Sequence, residues 1–277
     1  MMETGLLDPG LIEPGLMELG KVLIVGLFLP LFPFSMLFNL LFARLEHPLL
    51  RIMLLIAWPL TGLVLVELLG LKTSQEMNLV LSWAIVTALL YALRMLVIRE
   101  LNHWAGFLAT SLWSLLWVPV SQGERFASLQ LDVLGFTAPL LLLIMVASML
   151  SRRFGAAFAG LYNGIAIELP RLSTILVLSV LAAIGTPLFP TFFSMLSFIM
   201  HSSVFAAAAI LVTWLLWSWG GALIIQGFAV GEPDHVRQHQ DNGHDISHDI
   251  DRGTSMILLI ALAALIVTGI TLTGDLA

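Results

Sequence analysis

Apolar residues run in long blocks along this chain, at roughly 22–42, 50–70, 78–98, 104–120, 131–150, 171–185, 187–201, 203–228 and 255–273. One crossing of a bilayer core takes roughly 20 apolar residues. The pattern therefore predicts an all-α polytopic transmembrane helix bundle of about eight or nine spans. The weakest block is 104–120, which is short and ends at Pro119. The connections are short except for 229–254, which leaves no room for a soluble domain. The expected division is an arm at 1–20, a bundle at 21–228, a polar loop at 229–254 and a last helix within 255–277.

One block stands apart. From Glu168 to His201 a long apolar run is interrupted by Gly185-Thr186-Pro187 and again by Pro190. A broken helix persists in a membrane only where neighbouring protein or a water-filled cavity satisfies the freed backbone groups. In transporters such breaks often adjoin the transported ion. A discontinuous helix is thus expected near 185–195, marked by Gly185, Pro187, Pro190 and Met195. Thr186, Thr191, Ser194 and Met195 flank the break, and no charged residue does.

Composition agrees with the pattern. The chain is 59% hydrophobic and 11% charged, with mean hydropathy +0.99, where soluble domains are about 25% charged. Cysteine is absent, which excludes disulfides, iron–sulfur clusters and thiolate metal sites. No cofactor is implied. The net charge of -6 sits mainly in the N-terminal arm and the 230–252 loop. Neither is a basic patch, so lipid is an expected partner and nucleic acid is not. The first twenty residues are acidic, with no positive n-region, which argues against a cleaved signal peptide. They repeat a motif, Leu7-Asp8-Pro9-Gly10 and Ile12-Glu13-Pro14-Gly15, whose Pro-Gly pairs mark turns. Such an arm suits the membrane interface or a partner surface.

Lysine and arginine bias sets orientation. With nine spans, Arg44, Arg51, Arg99, Arg152, Arg153 and Arg171 share one side, which should be cytoplasmic. The N-terminus and the 229–254 loop are then external. A single crossing at 171–201 would flip everything downstream.

Few residues offer chemistry. Arg94 lies inside the third span, where charges often serve function, although snorkelling to the nearby interface explains it equally well. Glu67, near the end of the second span, is a candidate to relay protons or pair with Arg94. His201 can carry a proton near neutral pH; a capping or interfacial role fits it as well. These three are the proton-path candidates. Asp132 reads as an acid at the start of a helix, favoured by the helix dipole. Trp113, Trp117, Trp214, Trp217 and Trp219 read as interfacial anchors. The loop holds His235, His239, His244 and His248 among acids, which suits zinc, nickel or copper by ligand type, though not in the compact spacing of a structural zinc site. A solvated or docking loop is the plainer reading. No nucleophile elbow, phosphate loop or carboxylate dyad is present, so nothing argues for an enzyme.

The stretch Ala159-Gly160-Leu161, Pro170-Arg171-Leu172, Ala182-Ala183-Ile184-Gly185-Thr186-Pro187 and Phe192 resembles the late helices of antiporter-like subunits. This family spans respiratory complex I, Mrp-type cation/proton antiporters, membrane-bound hydrogenases and DAB-type inorganic-carbon transporters. Gln226-Gly227-Phe228-Ala229-Val230-Gly231 resembles the exit of the next helix, and the resemblance covers about 130–273. Two departures matter. The family places Glu or Lys at the step into its broken helix, where this chain has Met195. It also has a polar relay in the preceding helix, where this chain reads Leu134-Gly135-Phe136-Thr137-Ala138-Pro139. The resemblance implies a shortened relative in a bacterial inner membrane. It implies an accessory or structural subunit of an ion-motive complex, packed beside a full-length antiporter-like subunit and coupled, in one form, to inorganic-carbon uptake. The alternative is a small proton or cation transporter in its own right.

Overall fold

The computed structural model describes residues 9–71, 77–161, 164–230 and 249–273, with side chains from Met17 to Thr271. The four loop histidines, His235, His239, His244 and His248, lie outside the described residues. The described chain is helical: α1 (Pro9–Phe28), α2 (Ser35–Arg44), α3 (Pro48–Leu68), α4 (Met77–Met95), α5 (Leu101–Ser114), α6 (Trp117–Gln122), α7 (Phe126–Phe154), α8 (Ile165–Glu168), α9 (Pro170–Ala183), α10 (Pro190–Met200), α11 (Val204–Ala229) and α12 (Arg252–Thr273). Six runs are long and apolar enough to cross a membrane: α3, α4, α5 with α6, α7, α11 and α12. Two further passes are made of half-helices, α1 with α2 and α9 with α10.

Local chemistry sets the helix ends. Pro48, Pro170 and Pro190 each open a helix, where the missing N–H costs nothing. Gly123 and Gly155 close α6 and α7 in the left-handed conformation. The Pro14-Gly15 pair does not make a turn; α1 runs through it.

The block 104–120 is a span and, as expected, the weakest by hydropathy; it is the central pole, with 89% of the α5–α6 window buried. Thr110, Ser111 and Ser114 lower its hydropathy and face other helices, not lipid. Two expectations are corrected. The block 22–42 is not one helix, because Pro30 and Pro33 divide it into α1 and α2. The blocks 171–185 and 187–201 are not two packed spans. α9 and α10 scarcely touch each other, and both lie against α7 and α11, so they form one interrupted pass.

That single pass settles which ends lie together. Arg99 and Ala157 join the α4–α5 turn to the end of α7 through Leu101 N–H to the Ala157 carbonyl, 2.9 Å, and Ala159 N–H to the Arg99 carbonyl, 2.8 Å. Gly160 N–H reaches the Gly227 carbonyl at the end of α11, 2.7 Å. The Asp249 carboxylate accepts from Arg171 N–H, 2.7 Å, at the start of α9. Arg44, Arg51, Arg94, Arg99, Arg152, Arg153, Arg171 and Arg252 therefore share one end of the bundle, as do both edges of the 231–248 loop. The positive-inside rule favours this end as the cytoplasmic one. Val230 and Asp249, the described residues that flank the loop, lie at this end, where nine spans would have put them at the other. Gln122 Nε2 donates to the His201 carbonyl, 3.0 Å, at the opposite end.

At the arginine-rich end Glu100 caps α5. Its carboxylate accepts from His103 N–H and Asn102 Nδ2, both 2.6 Å, and pairs with His103 Nδ1 at 2.7 Å. Burial pushes the Glu100 carboxyl up, but the His103 and Asn102 hydrogen bonds and the imidazole charge together outweigh it and hold the group below its ordinary value. A lowered folded pKa contributes stability that is present above the unfolded value and lost as pH falls through the folded one. Thermal unfolding in detergent should therefore show an acid limb below about pH 4.5, the ordinary Glu value. Glu100→Gln should flatten that limb.

Candidate functional site

The candidate site is the pair of interrupted helices and what they lean on. At the first break, prolines remove helical donors and distant side chains replace them. Pro30 has no N–H for the Gly26 carbonyl, so Leu31 N–H takes it at 2.8 Å. This robs the Leu27 carbonyl, to which Trp58 Nε1 donates at 3.1 Å. Pro33 leaves the Leu29 carbonyl without a donor, and Trp117 Nε1 fills in at 3.1 Å. The Pro30 carbonyl accepts from Ser114 Oγ, 2.7 Å, and the Phe32 carbonyl from Trp83 Nε1, 2.7 Å. Phe32 N–H donates to Thr87 Oγ1, 3.0 Å. Each carbonyl left bare inside a membrane protein would cost about 1–3 kcal/mol. The donors come from α3, α4, α5 and α6, so the surrounding bundle holds the break open. Packing fits the same purpose: Leu29 sits on Gly62 of α3, where a Cβ would lie 2.9 Å from its Cγ.

The second break uses the same device with fewer parts. Gly185 at φ +75° and Leu188 at φ +89° turn the chain between α9 and α10. Thr186 donates both its N–H, 3.1 Å, and its Oγ1, 3.0 Å, to the Leu181 carbonyl. Trp214 Nε1 donates to the Ile184 carbonyl, 2.9 Å. α12 crosses the break at Gly269, where a Cβ would stand 2.1 Å from the Leu188 carbonyl oxygen. Hydrogen is the only side chain that this crossing admits.

α10 is fastened to α7 by a pair of polar contacts. Pro139 in α7 leaves the Gly135 carbonyl without its helical donor, and Thr191 Oγ1 supplies one at 3.2 Å. The absence of a side chain at Gly135 lets Pro190 close in, 3.1 Å from where a Cβ would be. Just above, Ser194 Oγ donates to Asp132 Oδ1 at 2.6 Å. Asp132 is not at the start of its helix. α7 begins at Phe126, so Asp132 lies nearly two turns inside, facing the broken helix. The ionisable group missing from the break in sequence thus faces it from a neighbouring helix. Asp132→Asn keeps an acceptor for Ser194 and should change thermal stability by less than about 1 kcal/mol, while Asp132→Leu strands the hydroxyl and should cost about 1–3 kcal/mol. Thermal unfolding in detergent measures both.

The other expected residues are not brought together. Met195 is fully buried in α10 beside Ser194, Gly185 and Pro190 are buried at the break, and Pro187 is exposed on its outer side. Glu67 is exposed in the last turn of α3. Arg94 is exposed at the other end of the bundle, in the last turn of α4, its guanidinium 5.9 Å from the Tyr91 ring centre. His201 is exposed past the end of α10, with Nδ1 2.9 Å from the Ser197 carbonyl. The tryptophans are mostly not interfacial anchors. Trp113, Trp117 and Trp217 are fully buried, and only Trp219 of the five is largely exposed, at 64%. Trp217 Nε1 donates to Ser111 Oγ, 2.9 Å, and Trp113 Nε1 to Thr137 Oγ1, 3.3 Å. No charged side chain among the described residues is fully buried. Of the buried side-chain polar atoms described, Trp104 Nε1, Ser179 Oγ and Ser202 Oγ lack a partner.

Two interrupted helices, one stitched to the buried pole and the other to α7 and α11, make up an integral membrane bundle. Solved structures share it. A chain of the Mrp complex from Dietzia sp. DQ12-45-1b is similar over 92% of this chain, with TM-score 0.77 and 15% identity. A chain of respiratory complex I from Thermus thermophilus with bound NADH is similar over 91%, with TM-score 0.72 and 19% identity. A chain of the membrane-bound sulfane sulfur reductase, an archaeal respiratory membrane complex, is similar over 95%, with TM-score 0.78 and 18% identity. This chain spans about half the length of each, 56%, 54% and 54%. At such identities the likeness is one of fold. No protein-family model and no curated protein matches the chain.

Proposed function

We propose that the chain is an accessory, structural membrane subunit of a multi-subunit ion-motive complex, packed beside a full-length antiporter-like subunit. The observation that carries this reading is the first break, where Leu31 N–H takes the Gly26 carbonyl and side chains of the bundle take the Leu27, Leu29, Pro30 and Phe32 carbonyls. An ion path needs backbone groups or charges left free for the ion or for water. Here they are consumed in holding the fold, and Met195 takes the place where the resembled family carries charge. The three solved neighbours are all chains of larger complexes, which supports a shared setting. The role is transport-associated and not enzymatic. A complex that takes up inorganic carbon is one host of this kind, and bicarbonate-uptake assays on a deletion strain would assign it.

Asp132 favours a second reading, a small proton or cation conductor, because a carboxyl set inside α7 against a broken helix is where such a path would bind its ion. The two readings separate in one experiment. A tagged chain extracted gently from native membranes should bring down a longer antiporter-like subunit. Recovery as a lone protein whose proton flux in liposomes falls in Asp132→Asn would establish the conductor instead.

A further inference from the structure

We propose that the cytoplasmic end of the bundle holds a binding site for a phosphate-bearing anion, between α3, α5 and α7. A cavity of about 300 Å³ opens there, lined by His47, Arg51, Asn102, Ser148, Ser151 and Arg152, with the exposed Glu46 also on its wall. That volume is at the small end of ligand pockets, which run roughly 300–1,000 Å³. Its positive charge is balanced only in part, by the attraction of Glu100 and Glu46 for Arg51. Among the described residues neither Arg51 nor Arg152 has a carboxylate within ion-pair distance. The carboxylate that would serve Arg51, Glu100, is held by His103 and Asn102. Arg51 is fixed in place: its Nε donates to the Leu45 carbonyl at 2.6 Å and its guanidinium lies 5.6 Å from the Phe42 ring centre. The remaining guanidinium N–H groups stay available for a bidentate contact, the geometry in which arginine binds phosphate. Ser148, Ser151 and Asn102 add neutral donors. α3 also opens at this cavity, and His47 gives its N-terminus no side-chain cap, so the dipole adds to the attraction for an anion.

The position suits a lipid. Basic pockets between transmembrane helices on the cytoplasmic side take anionic headgroups. Leu49 and Met53, 69% and 64% exposed on the adjoining turns of α3, offer an apolar track for acyl chains. Soluble phosphate shares the same recognition chemistry.

Native mass spectrometry of the full chain in detergent, titrated separately with phosphatidylglycerol, phosphatidylcholine and inorganic phosphate, tests the site. Phosphatidylglycerol should be retained over phosphatidylcholine, and Arg51→Gln with Arg152→Gln should weaken its binding about tenfold or more. Arg152→Gln alone, at an exposed position that tolerates change, should weaken it in part, and Arg152→Lys should restore most of that loss. Retention of phosphatidylglycerol assigns a lipid headgroup, whereas retention of inorganic phosphate alone assigns a soluble ligand to the same site. Binding unchanged by both arginine variants, equal retention of phosphatidylcholine, or no binding of any probe would overturn the proposal.

Discussion

Gly269→Val should be among the most damaging single substitutions in the bundle. A Cβ there would stand 2.1 Å from the Leu188 carbonyl oxygen and 3.0 Å from the Phe189 carbonyl carbon. Overpacking a core usually costs about 1–3 kcal/mol, because side chains give way. Here the obstacle is backbone, already held in a left-handed turn at Leu188, so the loss should lie at or above the top of that range. α12 should detach from the break, and the protein should lose its sharp thermal transition in detergent. Gly269→Ala should show the same effect in milder form. Gly20→Ala is the control. Nothing lies within 4 Å of a Cβ at Gly20, and in mid-helix alanine is favoured over glycine by about 0.5–1 kcal/mol.

Trp117 carries the second large effect. It is fully buried, joins the pole to the first break through the Leu29 carbonyl, and has no lipid-facing surface. Trp117→Ala should cost about 3–5 kcal/mol as an emptied core position. Trp117→Phe separates the hydrogen bond from the volume: most of the ring remains, the Leu29 carbonyl loses its donor, and about 1–3 kcal/mol should be lost. If Trp117 were an interfacial anchor, the phenylalanine variant would be nearly neutral. Chemical unfolding monitored by the remaining tryptophans distinguishes the outcomes.

The contrast between these residues shows how far the sequence could be read. Hydropathy was enough for the helical membrane fold, and Gly185-Thr186-Pro187 with Pro190 located the second break, because glycine and proline act on the backbone where they stand. Pro30 and Pro33 act on the backbone in the same way, yet 22–42 reads as one span. Membrane helices tolerate proline when other helices supply partners, and those partners lie far off in sequence: the donors Trp58, Trp83, Ser114 and Trp117, and the acceptor Thr87. An indole that anchors at an interface and one that staples a carbonyl look alike in one dimension.

Asp132 was misplaced for a different reason. The apolar block begins at 131, whereas α7 begins five residues earlier at Phe126, and the intervening Ser128 and Gln130 lower hydropathy without ending the helix. Its partner Ser194 lies 62 positions away, so no local pattern joins them. The break and the carboxyl facing it were each visible in the sequence. Their meeting was not.

Proton flux through the purified chain is the most direct test of a structural role. The chain, reconstituted alone in liposomes with a pH-sensitive dye inside and a potassium diffusion potential imposed, should pass protons no faster than empty liposomes, and Asp132→Asn should leave that rate unchanged. Flux well above the empty-liposome rate that is lost in Asp132→Asn would contradict the structural reading and make the α7–α10 seam a conducting path.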